Sequence, residues 1–543
     1  MSFTFFEALI VGILYYLAYC EFSIPFIGAG WQDPVTIGFL IGLVYGDVKT
    51  GLVVGASIGM MYISNIAVGG NLPSDGVLAA CVTVPISIKF GLDATTAVAF
   101  SIPFAVLGTF VDNGRRLVNG MWNRRAVTHV ENEQYKKLWV DAILGPSVVS
   151  MLFRIVPLTL LLWLFGGAAG DIVSQLPAWL SNGLSVIGGM LPGLGLVLCV
   201  NFMGKKELLP YFLVGFYAIT LGKVSIVFVA LIGVCLAFLH VQFSASRFEE
   251  DDEEDYEEEY EEDDTSQSIY GDGCAFKSKG HLYWWGFKFC CFFRISQCLE
   301  YFYGTGIGYM MLEPLKRVYQ ENHEGYKTAI LRHLQPFITN PSWGAALVTG
   351  SIAMEEDIAK HGDPSGEKGE AIQTFKTSLM GPLAGIGDSF EGSIMMPLFK
   401  SICYPLALAG NVLGAFPYVL WFGWMTIVAL FMDKLGYEQG RKGIAKLINS
   451  PIVNKVLYGA GVLGIMMMGA LSASYVSLNI KIGWETSMGA TDVASIVNGL
   501  IPSFFTLLFL GICYLLLSKG KSFVKVLIGV VIFGLLGSLI GIV

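Results

Sequence analysis

The residues best able to do chemistry in this chain are carboxylates and amides set in glycine-rich inserts between apolar runs. One insert, Ser378–Gly392, reads SLMGPLAGIGDSFEG and carries Asp388, Ser389 and Glu391. Asp388 and Glu391 are three residues apart, so a helical continuation turns both toward one cavity. Acidic groups at membrane depth cost roughly 2.5–3.5 kcal/mol each, so they are rare there and usually functional. A second insert, Ser64–Gly76, reads SNIAVGGNLPSDG and offers Asn65, Asn71, Ser74 and Asp75. Its glycines and Pro73 break the helix and free backbone donors and acceptors. Together the two inserts suit a small hydrophilic solute ringed by hydroxyls, each needing a donor or acceptor in a dry pocket. Glu300, in the apolar approach to the second half, is a further candidate ligand. For each insert a turn at the membrane surface is the alternative reading. A third insert, Gly46–Gly51 (GDVKTG), reads as a tight turn between two helices. It lacks the G-x-x-x-x-G-K-[ST] pattern, so no phosphate cradle is expected.

Catalytic constellations are missing from the sequence. There is no G-x-S-x-G, no H-E-x-x-H and no Walker pattern, and the catalytic residues are left unknown. The six histidines form no spaced cluster, and the ten cysteines include no C-x-x-C pair, so no metal and no cofactor is expected. Gly304–Gly308 (GTGIG) lies in an apolar stretch without the strand–helix context of a dinucleotide site, and close helix packing explains it better.

Helices in a bilayer must position these groups. The 543 residues are 54% hydrophobic and 14% charged, with a mean hydropathy of +0.62, against roughly 25% charged in a soluble domain. Spans of about 20 apolar residues are expected at Ile143–Leu164, Tyr211–His240, Leu406–Phe431, Val456–Ala473, Ile501–Leu517 and Phe523–Val543. Shorter, broken ones lie at Val35–Val44, Gly51–Val68, Val77–Ile88 and Ala94–Phe110. Short broken helices are how transporters place polar backbone around a cavity inside the membrane. Met1–Leu17 carries Glu7 and no basic flank, and reads as a first membrane helix. The run Glu249–Asp264 is acidic at all but two positions, while the remaining chain is slightly basic although the whole is −9. Such a run repels itself and buries nothing, so it should be a disordered tether. The expected organisation is therefore a membrane domain at 1–247, a cytoplasmic linker at 248–280 and a second domain at 281–543. Within the last, 281–376 form amphipathic helices facing the cytoplasm and 377–543 form membrane helices. Basic residues in Arg115–Lys137, Lys316–Arg332 and Lys434–Lys455 are expected on the cytoplasmic side. The fold class is an all-α polytopic membrane protein.

At these inserts the chain resembles the mannose/fructose/sorbose family of phosphotransferase-system permeases. GDVKTG and the segment to Asp75 resemble the IIC subunit. Tyr309–Tyr319, Arg332-His333-Leu334, Glu355-Glu356 and above all Leu379–Asp388 (LMGPLAGIGD) resemble IID. The resemblance implies two related, inverted helical halves with re-entrant helices, jointly binding one sugar and moving elevator-fashion in a trimer. It implies phosphorylation of a hexose or hexosamine by a phosphohistidine on a separate cytoplasmic IIB, recharged by IIA. It also implies a bacterial cell membrane and no nucleic-acid partner. The two subunits are fused here, Gly59 stands where mannose-type members carry an acidic residue, and Ser389–Gly392 departs from their pattern. The rival functions are an ion-coupled secondary sugar carrier and a membrane enzyme acting on lipid.

Overall fold

The computed structural model describes residues 2–20, 31–63, 74–174, 177–203, 206–243, 270–320, 322–448, 451–478, 480, 483–486, 489–521 and 523–542. The first half is helical: α1 (Phe5–Ala18), α2 (Pro34–Tyr45), α3 (Val48–Met61), α4 (Gly76–Phe90), α5 (Ala94–Glu131), α6 (Gly145–Ser174), α7 (Ala178–Met203), α8 (Leu209–Thr220) and α9 (Ile226–Phe243). The second half continues with α10 (Lys279–Phe292), α11 (Gly304–Tyr319), α12 (His323–His333), α13 (Ala345–His361), α14 (Glu367–Gly387) and α15 (Met396–Leu408). It ends with α16 (Pro417–Ile448), α17 (Pro451–Tyr475), α18 (Val493–Leu500), α19 (Phe504–Ser518) and α20 (Phe523–Ile540). One antiparallel hairpin, β1 (Gly483–Thr486) with β2 (Gly489–Asp492), interrupts the helices.

Local signals account for the breaks. Gly46 ends α2 in the left-handed conformation (φ 77°), and Asp47 caps α3 by accepting the Thr50 N–H at 3.0 Å. GDVKTG is thus the tight interhelical turn expected of it. The stretch Tyr211–His240, expected as one span, is two helices, because Lys223 takes a left-handed φ of 50° between α8 and α9. Leu406–Phe431 is likewise divided, at Gly410 (φ 81°). Among the described residues, the stretches long and apolar enough to cross a membrane are Ala94–Glu131, Tyr135–Gly167, Pro417–Gly440 and Tyr458–Tyr475. The bent pair α18–α19, at 83°, is a fifth candidate.

Arg115 and Arg116, expected in a cytoplasmic loop, lie instead inside α5 and are buried. At 38 residues this helix is about 57 Å long, nearly twice the roughly 30 Å hydrocarbon thickness. Its far end packs against the second half. There Asn119 donates to the Gln297 carbonyl at 3.1 Å and Asn123 to the Thr305 hydroxyl at 2.8 Å. The end of the expected linker is also ordered. Ala275 and Phe276 are fully buried, the Ala275 N–H donates to Glu356 at 2.7 Å, and Phe276 packs edge-on to Tyr437 at 4.9 Å. Apolar side chains after the acidic run supply what the run itself lacks. The acidic run lies outside the described residues.

Packing does not follow the division of the sequence. One core gathers Tyr15, Leu52, Ile58 and Met190 of the first half with Tyr404, Met466, Leu471 and Leu510 of the second. Another sets Ala126, Val130 and Leu138 of the first half among Trp285, Phe289, Leu315 and Ile330. Close backbone approach makes this interleaving tight, since between apolar helices van der Waals packing replaces the hydrophobic effect. A Cβ at Gly469 of α17 would stand 2.0 Å from the Phe212 carbonyl of α8, and one at Gly306 would stand 1.9 Å from the Phe293 carbonyl. The glycine repeat at 304–308 is thus a packing device.

A buried polar cluster locks α11 to α14. Glu355, fully buried, accepts from Arg332 at 2.5 Å, His333 Nε2 at 3.0 Å and the Tyr319 hydroxyl at 2.6 Å. Lys376 donates to the Arg332 carbonyl at 3.0 Å and lies 3.4 Å from His333 Nδ1. Burial, with the Lys376 charge, pushes the His333 imidazole down to about 4. Burial alone would raise Glu355, but the His333 hydrogen bond and the Arg332 charge outweigh it and hold the carboxyl down to about 2.

Replacing Gly469 by leucine should separate α8 from α17 and cost about 1–3 kcal/mol, read as a lowered melting temperature in detergent. The cluster should also make stability pH-dependent. The folded state binds the His333 proton less readily than the unfolded chain, so stability falls as pH drops from about 6.5 to about 4. It falls again through the Glu355 window from 4.5 to about 2. Melting of His333→Gln should lose the upper part of this dependence, up to about 3 kcal/mol; an unchanged profile would remove His333 as its source.

Candidate functional site

The carboxylates of the second insert meet on an irregular turn. After α14 the chain widens into a π-helix, Asp388–Met395, before α15 resumes. This is a rare geometry that recurs at functional sites. Asp388 accepts from Asn340 at 3.2 Å, and Glu391 accepts from the Ser342 hydroxyl. The turn holding these partners is set by Asn340 Oδ1, which accepts the N–H groups of Ser342 (3.1 Å) and Trp343 (3.2 Å) ahead of α13. Asp388 and Glu391 therefore face one loop, as their spacing suggested.

Three groups there await partners. Glu391 is buried, and its Oε2 has no hydrogen-bond partner among the described residues; nor do the indole N–H groups of Trp343 and Trp424. Phe390 packs between these two indoles, at 6.3 and 5.9 Å. A buried acceptor and two buried donors beside aromatic walls match a ligand with an apolar body and hydroxyls at its edge. Asn340, Ser342, Trp343 and Trp424 were not singled out in the sequence, because nothing in their spacing ties them to Glu391.

The first insert is less exposed to a ligand than expected. Asp75 caps α4, accepting the Leu78 N–H at 2.9 Å, the Tyr15 hydroxyl at 2.7 Å and the Tyr19 hydroxyl at 2.8 Å. Both of its oxygens are thus engaged by protein. Ser74 beside it is buried. Asn65 and Asn71 lie outside the described residues, as does the Ser389 side chain. Glu300 is on the surface, half exposed, and pairs with Arg124 of α5 at 2.7 Å. The structure does not bring it to Asp388.

Arginines connect the two inserts. Arg154 lies over the Tyr19 ring at 4.5 Å and pairs with Asp112 at 3.2 Å. Asp112 also holds Arg115 at 2.9 Å and Arg116 at 2.7 Å. Arg294 is within coulombic reach of Arg116 on one side and Asp388 on the other. The i, i+3 and i, i+4 spacing of Asp112 to the two arginines was the signal available in the sequence.

A second contact joins the halves directly. Asp33, fully buried, caps α2 and accepts the Tyr404 hydroxyl at 2.9 Å, with Lys400 Nζ at 3.5 Å. Tyr404 reaches Asp33 across Gly59, where a Cβ would stand 2.7 Å from the tyrosine hydroxyl. Among the described residues no three His, Cys, Asp or Glu side chains converge as a metal site requires. Asp33→Ala should strand the Lys400 charge and cost about 3–5 kcal/mol. With a protease site placed in the acidic run, the cut wild type should stay together and the cut variant should separate, while Asp33→Ala with Lys400→Met restores association.

Comparison with known proteins accounts for both halves. The model of the PTS system sorbose-specific IIC component matches residues 5–239, and that of the PTS system mannose/fructose/sorbose family IID component matches residues 278–543. The mannose-specific EIID component of Escherichia coli (strain K12) is 30% identical over 252 residues, covering 45% of this chain and 88% of that one. The mannose-specific EIIC component of the same strain is 24% identical over 217 residues, covering 39% and 80%. A cryo-EM structure of the mannose transporter ManYZ in complex with microcin E492 aligns at 28% identity and a TM-score of 0.28, over 48% of this chain and 97% of that one. The chain therefore belongs to the mannose/fructose/sorbose family of phosphotransferase-system permeases, with a IIC component and a IID component joined in one polypeptide.

Proposed function

We propose that this permease binds a hexose or hexosamine beside Glu391 and carries it across the membrane, where a separate cytoplasmic IIB protein, recharged by IIA, phosphorylates it. The observation that carries the site is the Glu391 oxygen without a partner among the described residues, on a turn whose Phe390 contacts two indoles, of Trp343 and Trp424, whose N–H groups likewise lack one. In this reading Glu391 accepts a sugar hydroxyl, Trp343 and Trp424 donate to others, and Phe390 lines the sugar's apolar face. Asp388 and Asn340 hold the loop in register. Asp75, with its oxygens occupied, shapes the opposite wall through Tyr15 and Tyr19 and leaves direct contact to Asn65 and Asn71. Relatives bear the names of mannose, fructose and sorbose components, which supports a six-carbon sugar as the ligand.

The assembly we propose is a trimer in a bacterial cell membrane, with inverted halves and the acidic linker in the cytoplasm, in which a mobile body carries the sugar past a scaffold. Trapping of the phosphorylated sugar drives uptake. One observation favours a proton-coupled carrier instead: Asp433 of α16 is fully buried, and neither of its oxygens has a partner among the described residues.

Uptake into proteoliposomes separates the two. Sugar should accumulate only with phosphorylated IIB; accumulation driven by a proton gradient alone would establish the carrier. Glu391→Gln should weaken sugar binding by about tenfold to hundredfold, the worth of a hydrogen bond to a charged group, and Asp388→Asn should abolish uptake while the protein still inserts. Wild-type uptake by both variants would move the sugar elsewhere.

A further inference from the structure

A cavity of about 670 Å³ opens where the two halves meet, apart from the carboxylate site. One side is the turn Tyr135–Lys137 and the π-helix Val140–Leu144 of the first half; the other is α10, α11 and α12. Its rim carries Lys136, Lys288 and Lys316 against one acid, Glu313, and Glu313 is taken by Lys288 at 2.7 Å. Lys136 and Lys316 are exposed and have no ion pair among the described residues. The walls are apolar and aromatic, with Trp139, Ile143 and Phe292.

The place of this cavity in the fold says what would fill it. Tyr135 begins the stretch Tyr135–Gly167, which is long and apolar enough to cross a membrane. Lys136 and Trp139 thus stand at a span's end, where head groups and interfacial aromatics lie. From Trp139 a file of exposed apolar side chains, Leu144 at the end of the π-helix and Val148 and Leu152 of α6, runs away at helical spacing. Cations at the rim, a greasy wall below and a lipid-facing stripe leading away match a molecule with an anionic head and long acyl chains. A soluble anion would leave the wall unused, and a peptide would bring backbone groups that the wall cannot answer.

We propose that this cavity binds the head group of an anionic phospholipid, its phosphate held by Lys136 and Lys316 and its chains lying along α6. Such a lipid bridges the IIC and IID halves at the membrane surface, and it answers two cations that have no ion pair among the described residues. Basic pockets between membrane helices are suited to this chemistry.

The test is a binding titration of the full chain, purified in a neutral detergent, with short-chain phosphatidylglycerol, short-chain phosphatidylcholine and inorganic phosphate as separate probes. Saturable phosphatidylglycerol binding is expected, weakened by salt, with the other two probes at least about tenfold weaker. Each lysine near the surface is worth about fivefold, so Lys136→Gln with Lys316→Gln should weaken phosphatidylglycerol roughly thirtyfold. Lys137→Gln, an exposed neighbour outside the cavity, should bind like the wild type. Trp139→Ala, which changes no charge, should weaken binding about tenfold and serves if the lysine variant does not fold. The proposal is overturned if phosphatidylcholine binds as well, which makes the cavity a lipid contact indifferent to head-group charge. It is equally overturned if inorganic phosphate binds as tightly, which makes the ligand a free anion, or if the double variant keeps wild-type affinity. Loss in Lys137→Gln equal to that of the double variant would reduce the effect to diffuse charge and overturn it too.

Discussion

Asp33 is fully buried, with the Tyr404 hydroxyl at 2.9 Å and Lys400 at 3.5 Å. A carboxylate and an ammonium withdrawn from water cost several kcal/mol each unless each answers the other. The first comes from the IIC half and the second from the IID half, so neither half can satisfy its own charge. That need ties the start of α2 to the middle of α15. It also explains why Tyr404 and Ala407 sit in the same apolar core as α1 to α4. A fusion of the two components is physically undemanding under such a constraint, since partners that must meet anyway lose little freedom when tethered.

The same requirement organises the polar interior elsewhere. Asp75 is answered by two tyrosines and a backbone amide, Asp112 by three arginines, and Glu355 by an arginine, a histidine and a tyrosine. Glu391 departs from that pattern, as Asp433 does, with one oxygen bonded to Ser342 and the other without a partner among the described residues. In a dry interior an unmet acceptor costs about as much as a lost hydrogen bond, and that cost is the ground on which Glu391 is proposed as a ligand to the sugar. The π-helix contributes by turning Glu391 toward the Asn340–Trp343 loop while Asp388 stays on Asn340.

Much of the architecture was legible beforehand because lipid leaves a chain few choices. Backbone polar groups must be satisfied within the segment, so apolar runs are helices, and glycine and proline mark where they stop. GDVKTG as a turn and the pairing of Asp388 with Glu391 on one loop followed from spacing alone. The length of α5 did not, because its polar second half looks like a loop until Asp112 neutralises Arg115 and Arg116 and the second half covers Asn119 and Asn123.

The sequence by itself determined the membrane class, the family and the position of the acidic run, since these depend on composition and local pattern. Only tertiary structure decided that Asp75 is consumed by tyrosines, that Glu300 lies on the surface, and that Phe390 beside Glu391 packs against Trp343 and Trp424. It also decided that the helices of the two halves share cores. These outcomes rest on contacts between residues hundreds of positions apart. Whether a buried charge finds a partner there is set by packing in three dimensions, which no local pattern encodes.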